Sequence, residues 1–460
     1  MQKVFLLATL LVFSLFTSYS QVNISAPEGS FEDFFKWGDG YIGDVQRNMV
    51  ATLPKEREFI YYDGKGTKKW SRSIDPKSGW NDFLVNENGN YAYFIDVANL
   101  TEGGIWQREY PTDLFIIYRL DKAGTMEKIN VNYGDHFSAH FGADMKGFSL
   151  ESFIAGENEL LAVISQSSAK NDWTKKYCLF RIGDDKSMRV NLLDFQLTES
   201  DWKAMKKSEL HFQREADKIY LMQMNAISNG FEFRINTYGT SDLSEISSVT
   251  NTYSLESGIN YGQFVFEQVT DPQMAVRTQY SYVTRKGDTY YTIFTLGALI
   301  NLQVDNGQLY GVGNYYVDGA KGSLRPDEMK GIYALKFNTE SIDELSGNRV
   351  IKYDVPTNPK DKVYEISVLM QNSKFNCGMI AKKTFGYSVN GSPIKQVEIK
   401  NGYSSIVAAL GESLNNAGIQ NISNACIVYE YKNEFVILEK VKIAPALNGI
   451  KELNIYTIKK

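Results

Sequence analysis

Cysteine, histidine and proline are all scarce in this 460-residue chain, and each shortage removes a class of protein. The three cysteines, Cys178, Cys377 and Cys426, are odd in number, widely spaced and without a CxxC. Neither a disulfide framework nor a structural zinc knuckle is indicated, and they read as small buried apolar side chains. Ten prolines and no low-complexity run argue against a long disordered linker. The 49 Lys and Arg are interleaved with 54 Asp and Glu, a net charge of -5 without a basic stripe, so nothing points to nucleic acid as a partner. With three histidines, none paired with a GxSxG elbow or a reactive-cysteine motif, a Ser-His-Asp or Cys-His enzyme has little support. Calcium loops of the DxDxDG kind are missing, and no cofactor is expected.

Long apolar runs are missing too, except at the start. "MQKVFLLATLLVFSLFTSYS" has one early cation, an apolar stretch from Val4 to Phe16 and small polar residues before Gln21, the layout of a secretory signal peptide over residues 1–20. No Cys stands at the cleavage point to take a lipid. No later segment approaches the ~20 apolar residues that a membrane-spanning helix needs. The expectation is an exported protein, periplasmic or extracellular, starting near Gln21 and carrying a net charge of -6 once Lys3 is lost.

What is abundant is aromatic: 29 Tyr and 26 Phe, residue types that favour strands. One pattern recurs, an apolar run, a connection, a second run of period two and a polar turn. It occurs as "GNYAYFIDVANL" with "DLFIIYRLDKAG", "ENELLAVISQS" with "KYCLFRIGDDKS", "ADKIYLMQMNA" with "GFEFRINTYGTSD", and "NGQLYGVGNYYVDG" with "GIYALKFNTESID". A hairpin is expected around Lys432 and Asn433. From Asn90 to Asn158, Asp217 and Gln308 the steps are 68, 59 and 91 residues, imperfect repeats with insertions. Repeated units of short antiparallel strands mark β-propeller blades. The first run of each pair is expected to be an inner strand packed on both faces, and the second to lie nearer the rim. Helix is expected only at 198–210 and 404–418, the second of which would also suit a C-terminal subdomain from about residue 360.

Two short stretches carry a resemblance. "YYDGKGTKKWSRSID", 61–75, resembles the strand, glycine turn and Trp-ended strand of degenerate propeller blades of the quinoprotein-like type. "SIDPKSGW" places Ser73, Asp75 and Trp80 as in the Asp box of sialidase-like propellers, departing at Lys77 and Gly79. In that family the box is a structural turn, so the resemblance implies a blade and no sialidase chemistry. The chain resembles secreted bacterial proteins of unknown function built from degenerate propeller repeats. The expected fold is all-β, an irregular β-propeller of about six to eight blades spanning 21–460, with tandem β-sandwich domains as the alternative.

In "NYGDHFSAHFGAD", His136 and His140 stand four apart beside Asp135 and Asp144. On a helix that spacing brings two rings to one ion, whereas on a strand it holds them about 13 Å apart. Glycines at 134, 142 and 147 speak against a full helix, and no Glu follows the first His. Metal binding by Asp135, His136 and His140 then requires a loop; two partly buried imidazoles are the plainer expectation, and no metal site is expected. His211 reads as structural, and the glycines of "GVGNYY" as strand or bulge positions. Paired carboxylates carry no local signal for glycoside hydrolysis.

The constructive pointer is the long connection between the two runs, at 101–112, 168–176 and 320–330. In equivalent blades these leave from one end and gather Trp106, Arg108, Glu109, Tyr110, Asp172, Trp173, Arg325 and Asp327. Aromatic platforms beside charged groups suit a glycan or peptide, although solvated insertions packed over buried Trp side chains would read the same. The functional expectation is a non-enzymatic binding or scaffold protein for a glycan, a peptide or an envelope protein, with a propeller-type polysaccharide hydrolase or lyase as the alternative.

Overall fold

The computed structural model describes residues 19–459 except 28, 51–52, 77–79, 98–112, 143–147, 168–174, 198–208, 228–229, 255–258, 261–263, 270–280, 287–288, 296–298, 318–328, 341–349, 355–362, 372–373, 382–383, 389–394, 399–425, 432–433 and 444–448. Residues 1–18 of the expected signal peptide, the expected 404–418 helix and residues 198–208 of the other expected helix lie outside the described residues; Tyr19 and Ser20, expected to end that peptide, and Glu209 and Leu210, expected to end that helix, are in strands.

Strand follows strand. A first strand β1 (Tyr19–Ser25) precedes the meander β2 (Ser30–Trp37), β3 (Gly40–Val50), β4 (Leu53–Tyr62) and β5 (Lys68–Ile74). The second meander is β6 (Trp80–Val85), β7 (Tyr91–Val97), β8 (Asp113–Asp121) and β9 (Met126–Asn132). Two single-turn helices follow, α1 (Tyr133–His136) and α2 (Ser138–Phe141). Next come β10 (Phe148–Ala155), β11 (Leu160–Ser167), β12 (Lys175–Ile182) and β13 (Met188–Leu197), then β14 (Glu209–Glu215), β15 (Lys218–Ile227), β16 (Gly230–Gly239) and β17 (Glu245–Ser254). β18 (Ile259–Asn260) leads to a small sheet of β19 (Phe264–Val269), β20 (Ser281–Lys286) and β21 (Thr289–Thr295). The meanders resume with β22 (Leu299–Asp305), β23 (Gln308–Val317), β24 (Met329–Phe337) and β25 (Val350–Asp354), then β26 (Val363–Gln371), β27 (Lys374–Ala381), β28 (Thr384–Ser388) and β29 (Lys395–Glu398). β30 (Cys426–Tyr431), β31 (Glu434–Ile443) and β32 (Ile450–Lys459) end the chain. β30 and β31 pair antiparallel as expected, up to Tyr431↔Glu434, with residues 432–433 outside the described ones.

Four sheets are four-stranded antiparallel meanders in chain order, and β22 to β25 repeat the plan within a five-stranded sheet. The eight-stranded sheet divides into two halves, β2 to β5 and β30-β31-β32-β1, joined by the single pair Phe31↔Ile450. That makes seven four-stranded meanders among the described residues, within the expected six to eight. β1 completes the last of them, pairing with β32 from Tyr19↔Ile458 to Ser25↔Glu452.

Two compact units emerge, one of residues 1–49, 56–74 and 363–460, the other of 50–55 and 75–362. In the second unit alternation explains the core. Leu160, Ala162 and Ile164 of β11 turn to a cluster with Tyr93, Ile95, Phe115 and Ile117 of β7 and β8. Leu161 and Val163 turn the other way, to Ile219, Leu221 and Tyr238 of β15 and β16. A sheet whose two faces are each covered by a neighbouring sheet is a propeller blade, and its middle strands are apolar at every position. The first strands stand next to one another, β6 by β10, β10 by β14 and β14 by β22.

This corrects the strand roles. The paired apolar runs are the second and third strands of each meander, not an inner strand and a rim strand. The expected alternation of the second run is also lost in β8, buried from Leu114 to Leu120. The "SIDPKSGW" match falls between two meanders, where Ser73 belongs to β5 and Trp80 opens β6.

Candidate functional site

In an antiparallel meander successive connections alternate between the two ends of the sheet. The first-to-second and third-to-fourth turns share one end; the second-to-third connections and the links to the next meander share the other.

The turn end of the second unit is closed by polar staples. Asn86 donates to the Ala155 carbonyl (3.2 Å), the Asn90 amide to Glu157 O (2.7 Å), and the Tyr91 hydroxyl to Asp184 (2.5 Å). Arg119, nearly buried, holds Glu127 (2.7 Å) and the Asp184 carbonyl (2.8 Å), with its guanidinium 4.3 Å from the Tyr91 ring. Glu159 receives Arg181 and Arg214, each at 2.8 Å, and Lys218 reaches Glu340 at 3.1 Å. The contacts of Asn86, Asn90 and Tyr91, of Arg119 with Asp184, of Arg214 with Glu159 and of Lys218 with Glu340 join turn ends of successive meanders, so the meanders from β6 to β25 point the same way. The third-to-fourth turns repeat one device. The Asp63 carboxylate accepts from the amides of Lys65 and Thr67, Asp121 from Thr125, Asp185 from Ser187 and Asp242 from Ser244. The Lys69 ammonium and these amides hold the Asp63 carboxyl down to about 2, and Ser187 and Ser244 lower those of Asp185 and Asp242.

The opposite end carries the long connections, from Val97 to Asp113, Ser167 to Lys175 and Val317 to Met329. Trp106, Arg108, Glu109, Tyr110, Asp172, Trp173, Arg325 and Asp327, expected there, all lie outside the described residues. In the meander β14 to β17 the equivalent connection is short, since Ile227 pairs with Gly230.

The histidine segment leaves the same end, between β9 and β10, and, as expected, forms no full helix. α1 and α2 are consecutive helical turns that break at Phe137. The Asn132 side chain caps α1 by accepting the Gly134 and Asp135 amides. Phe137, fully buried, packs 5.4 Å from the Phe180 ring, and the Tyr133 hydroxyl donates to Gly142 O. An apolar anchor and a cap thus outweigh the low helix propensity of the glycines. His136 and His140 are half-buried on either side of Phe137 and Asp135 is exposed. Among the described residues no group of three His, Cys, Asp or Glu could hold a metal ion; Asp144 lies outside them. Cys178 is buried and unpaired, and burial pushes its thiol far up.

The first unit holds a group that sequence reasoning missed. Asp44 of β3 is fully buried, 3.3 Å from the Arg57 guanidinium, which also grips Glu32. Neither Asp44 oxygen has a hydrogen-bond partner among the described residues, and burial pushes the carboxyl up to about 8 against the pull of Arg57. In "GYIGDVQ" it reads as an ordinary polar interruption.

The class these features define is an all-β protein of propeller blades, whose second unit has stapled turns at one end of its meanders and long connections at the other. No family model matches the chain, and no curated protein does. Among solved structures it is similar to the β-propeller domain of the Trilobed protease from Pyrococcus furiosus, with 10% identity over 95% of this chain and 96% of that one and a TM-score of 0.41. It is similar also to the polysaccharide lyase Uly1, with 11% identity, 95% and 91% coverage and a TM-score of 0.44. A third likeness, to the α-L-arabinanase of Penicillium chrysogenum, has 12% identity, 80% and 89% coverage and a TM-score of 0.35. No helix among the described residues is long and apolar enough to cross a membrane.

Proposed function

We propose that this chain is an exported, non-enzymatic binding module that takes a glycan, peptide or envelope-protein partner on its loop-bearing end. The contacts assigned to it are Trp106, Arg108, Glu109, Tyr110, Trp173, Arg325 and Asp327. The observation that carries the reading is the asymmetry between the two ends of the second unit. One end has short turns tied together by Arg119, Glu159 and Tyr91. The other releases three long connections, two of which carry Trp106, Tyr110 and Trp173 and all of which carry charged residues. Loops on a rigid scaffold can vary without cost to the core, which is where recognition evolves.

The test is Trp106→Ala and Trp173→Ala in residues 21–460, screened against glycan and envelope-protein panels. Either change is expected to weaken binding about tenfold or more, ~1.4 kcal/mol, with the far-ultraviolet circular dichroism of the parent. Release of reducing sugar or unsaturated uronate by the parent protein, lost on changing one carboxylate at this end, would replace the binding reading with the hydrolase or lyase alternative.

A further inference from the structure

The hairpin of β4 and β5 carries a feature that the loop-bearing end does not account for. β5 is the last strand of its sheet. Trp70, register partner of Tyr61, stacks on it with ring centroids 5.5 Å apart and planes 20° apart. The buried Trp37 meets the two rings edge-on, 5.6 Å from Tyr61 and 6.5 Å from Trp70. The stack is thus fixed from below while both rings stay half-buried. From Gly64 to Arg72 the chain has four cations, Lys65, Lys68, Lys69 and Arg72, and no acid, against a net charge of -5 for the whole. Glu58 engages Lys68 at 3.5 Å and Asp63 engages Lys69 at 2.8 Å. Lys65 and Arg72 are exposed and form no ion pair with any described carboxylate; the Arg72 guanidinium lies 6.0 Å from the Trp70 ring.

We propose that this hairpin is a second binding site, for an acidic glycan: a chain of uronic acid sugars with a pyranose face on the Trp70 indole and its carboxylates on Arg72 and Lys65. An aromatic ring takes the apolar face of a sugar, and a guanidinium grips a carboxylate in two-pronged fashion. The edge of the sheet disfavours a polypeptide instead. The register shifts between Tyr61 and Tyr62, and Lys68 and Lys69 stand at the bulge, both features that block strand addition. A sugar chain needs no backbone ladder.

The experiment titrates the mature chain with a hexameric oligogalacturonate, a neutral glucose hexamer and a short single-stranded DNA, reading heat and tryptophan fluorescence. The oligogalacturonate is expected to bind, to quench fluorescence and to weaken with added salt. Arg72→Ala is expected to lower its affinity about tenfold, and Trp70→Ala to abolish the quench; should the latter unfold, Arg72→Ala decides alone. No oligogalacturonate binding, equal binding of the neutral hexamer, binding as tight of the DNA, or an affinity unmoved by Arg72→Ala would each overturn the proposal. Loss of binding on Trp106→Ala would assign the ligand to the loop-bearing end and overturn it too.

Discussion

Asp44 shows how much one buried carboxyl can determine. Its ordinary value of 3.8 is raised to about 8, because desolvation exceeds the attraction of Arg57, itself shared with Glu32. Asp44 is therefore protonated in the native state through neutral pH, while the unfolded chain releases that proton near pH 4. Its contribution to stability is whole at or below pH 4, falls as pH rises between about 4 and 8, and is level beyond. Asp44→Asn keeps the oxygen toward Arg57 and removes the titration. The variant is expected to match the parent in urea unfolding near pH 4 and to exceed it by a few kcal/mol at pH 8. A stability difference that does not change with pH would refute the assignment. Nothing in the local sequence marks Asp44, since burial of a polar residue on both faces of a sheet is a tertiary property. The same holds for Phe137, whose neighbours Gly134 and Gly142 argue for a loop until Phe180 is seen beneath it.

At the scale of elements, the middle strands were legible and the outer ones were not. β7, β11 and β15 announce themselves because each face of a middle strand packs on a neighbouring sheet, which imposes apolar residues at every position. β6 and β10 have one neighbour within their sheet and weaker patterns, so the runs that stood out were read one strand too early. The third-to-fourth turns share a backbone signature. Gly66 (φ 77), Gly124 (φ 86), Lys186 (φ 64) and Leu243 (φ 61) occupy one left-handed position in four equivalent turns, directly before Thr or Ser. Glycine fits that conformation without cost, while Leu243 is held there by full burial. Between elements, Glu159 of the β10–β11 turn is bound to β12 and to β14 through Arg181 and Arg214. Glu159→Ala strands two half-buried guanidiniums and is expected to cost about 3 kcal/mol, read as a lower denaturation midpoint. Unchanged stability would mean that the staple is replaced by solvent.

At the scale of the molecule, protection should follow the meander plan. Backbone amides of β7, β8, β11 and β12 are expected to exchange with solvent at least about tenfold more slowly than those of the outer strands β9 and β13. Equal rates would show that the blades open as whole sheets. By itself the sequence determined the all-β class, the repeat and the polar turns, because apolar periodicity and turn chemistry are local. Only the tertiary structure decided which strand comes first in each meander, that Tyr19–Ser25 pairs with β32 at the far end of the chain, and that Trp37, Tyr61 and Trp70 share one stack. Those depend on contacts between residues remote in sequence, which burial and pairing select and local pattern does not encode.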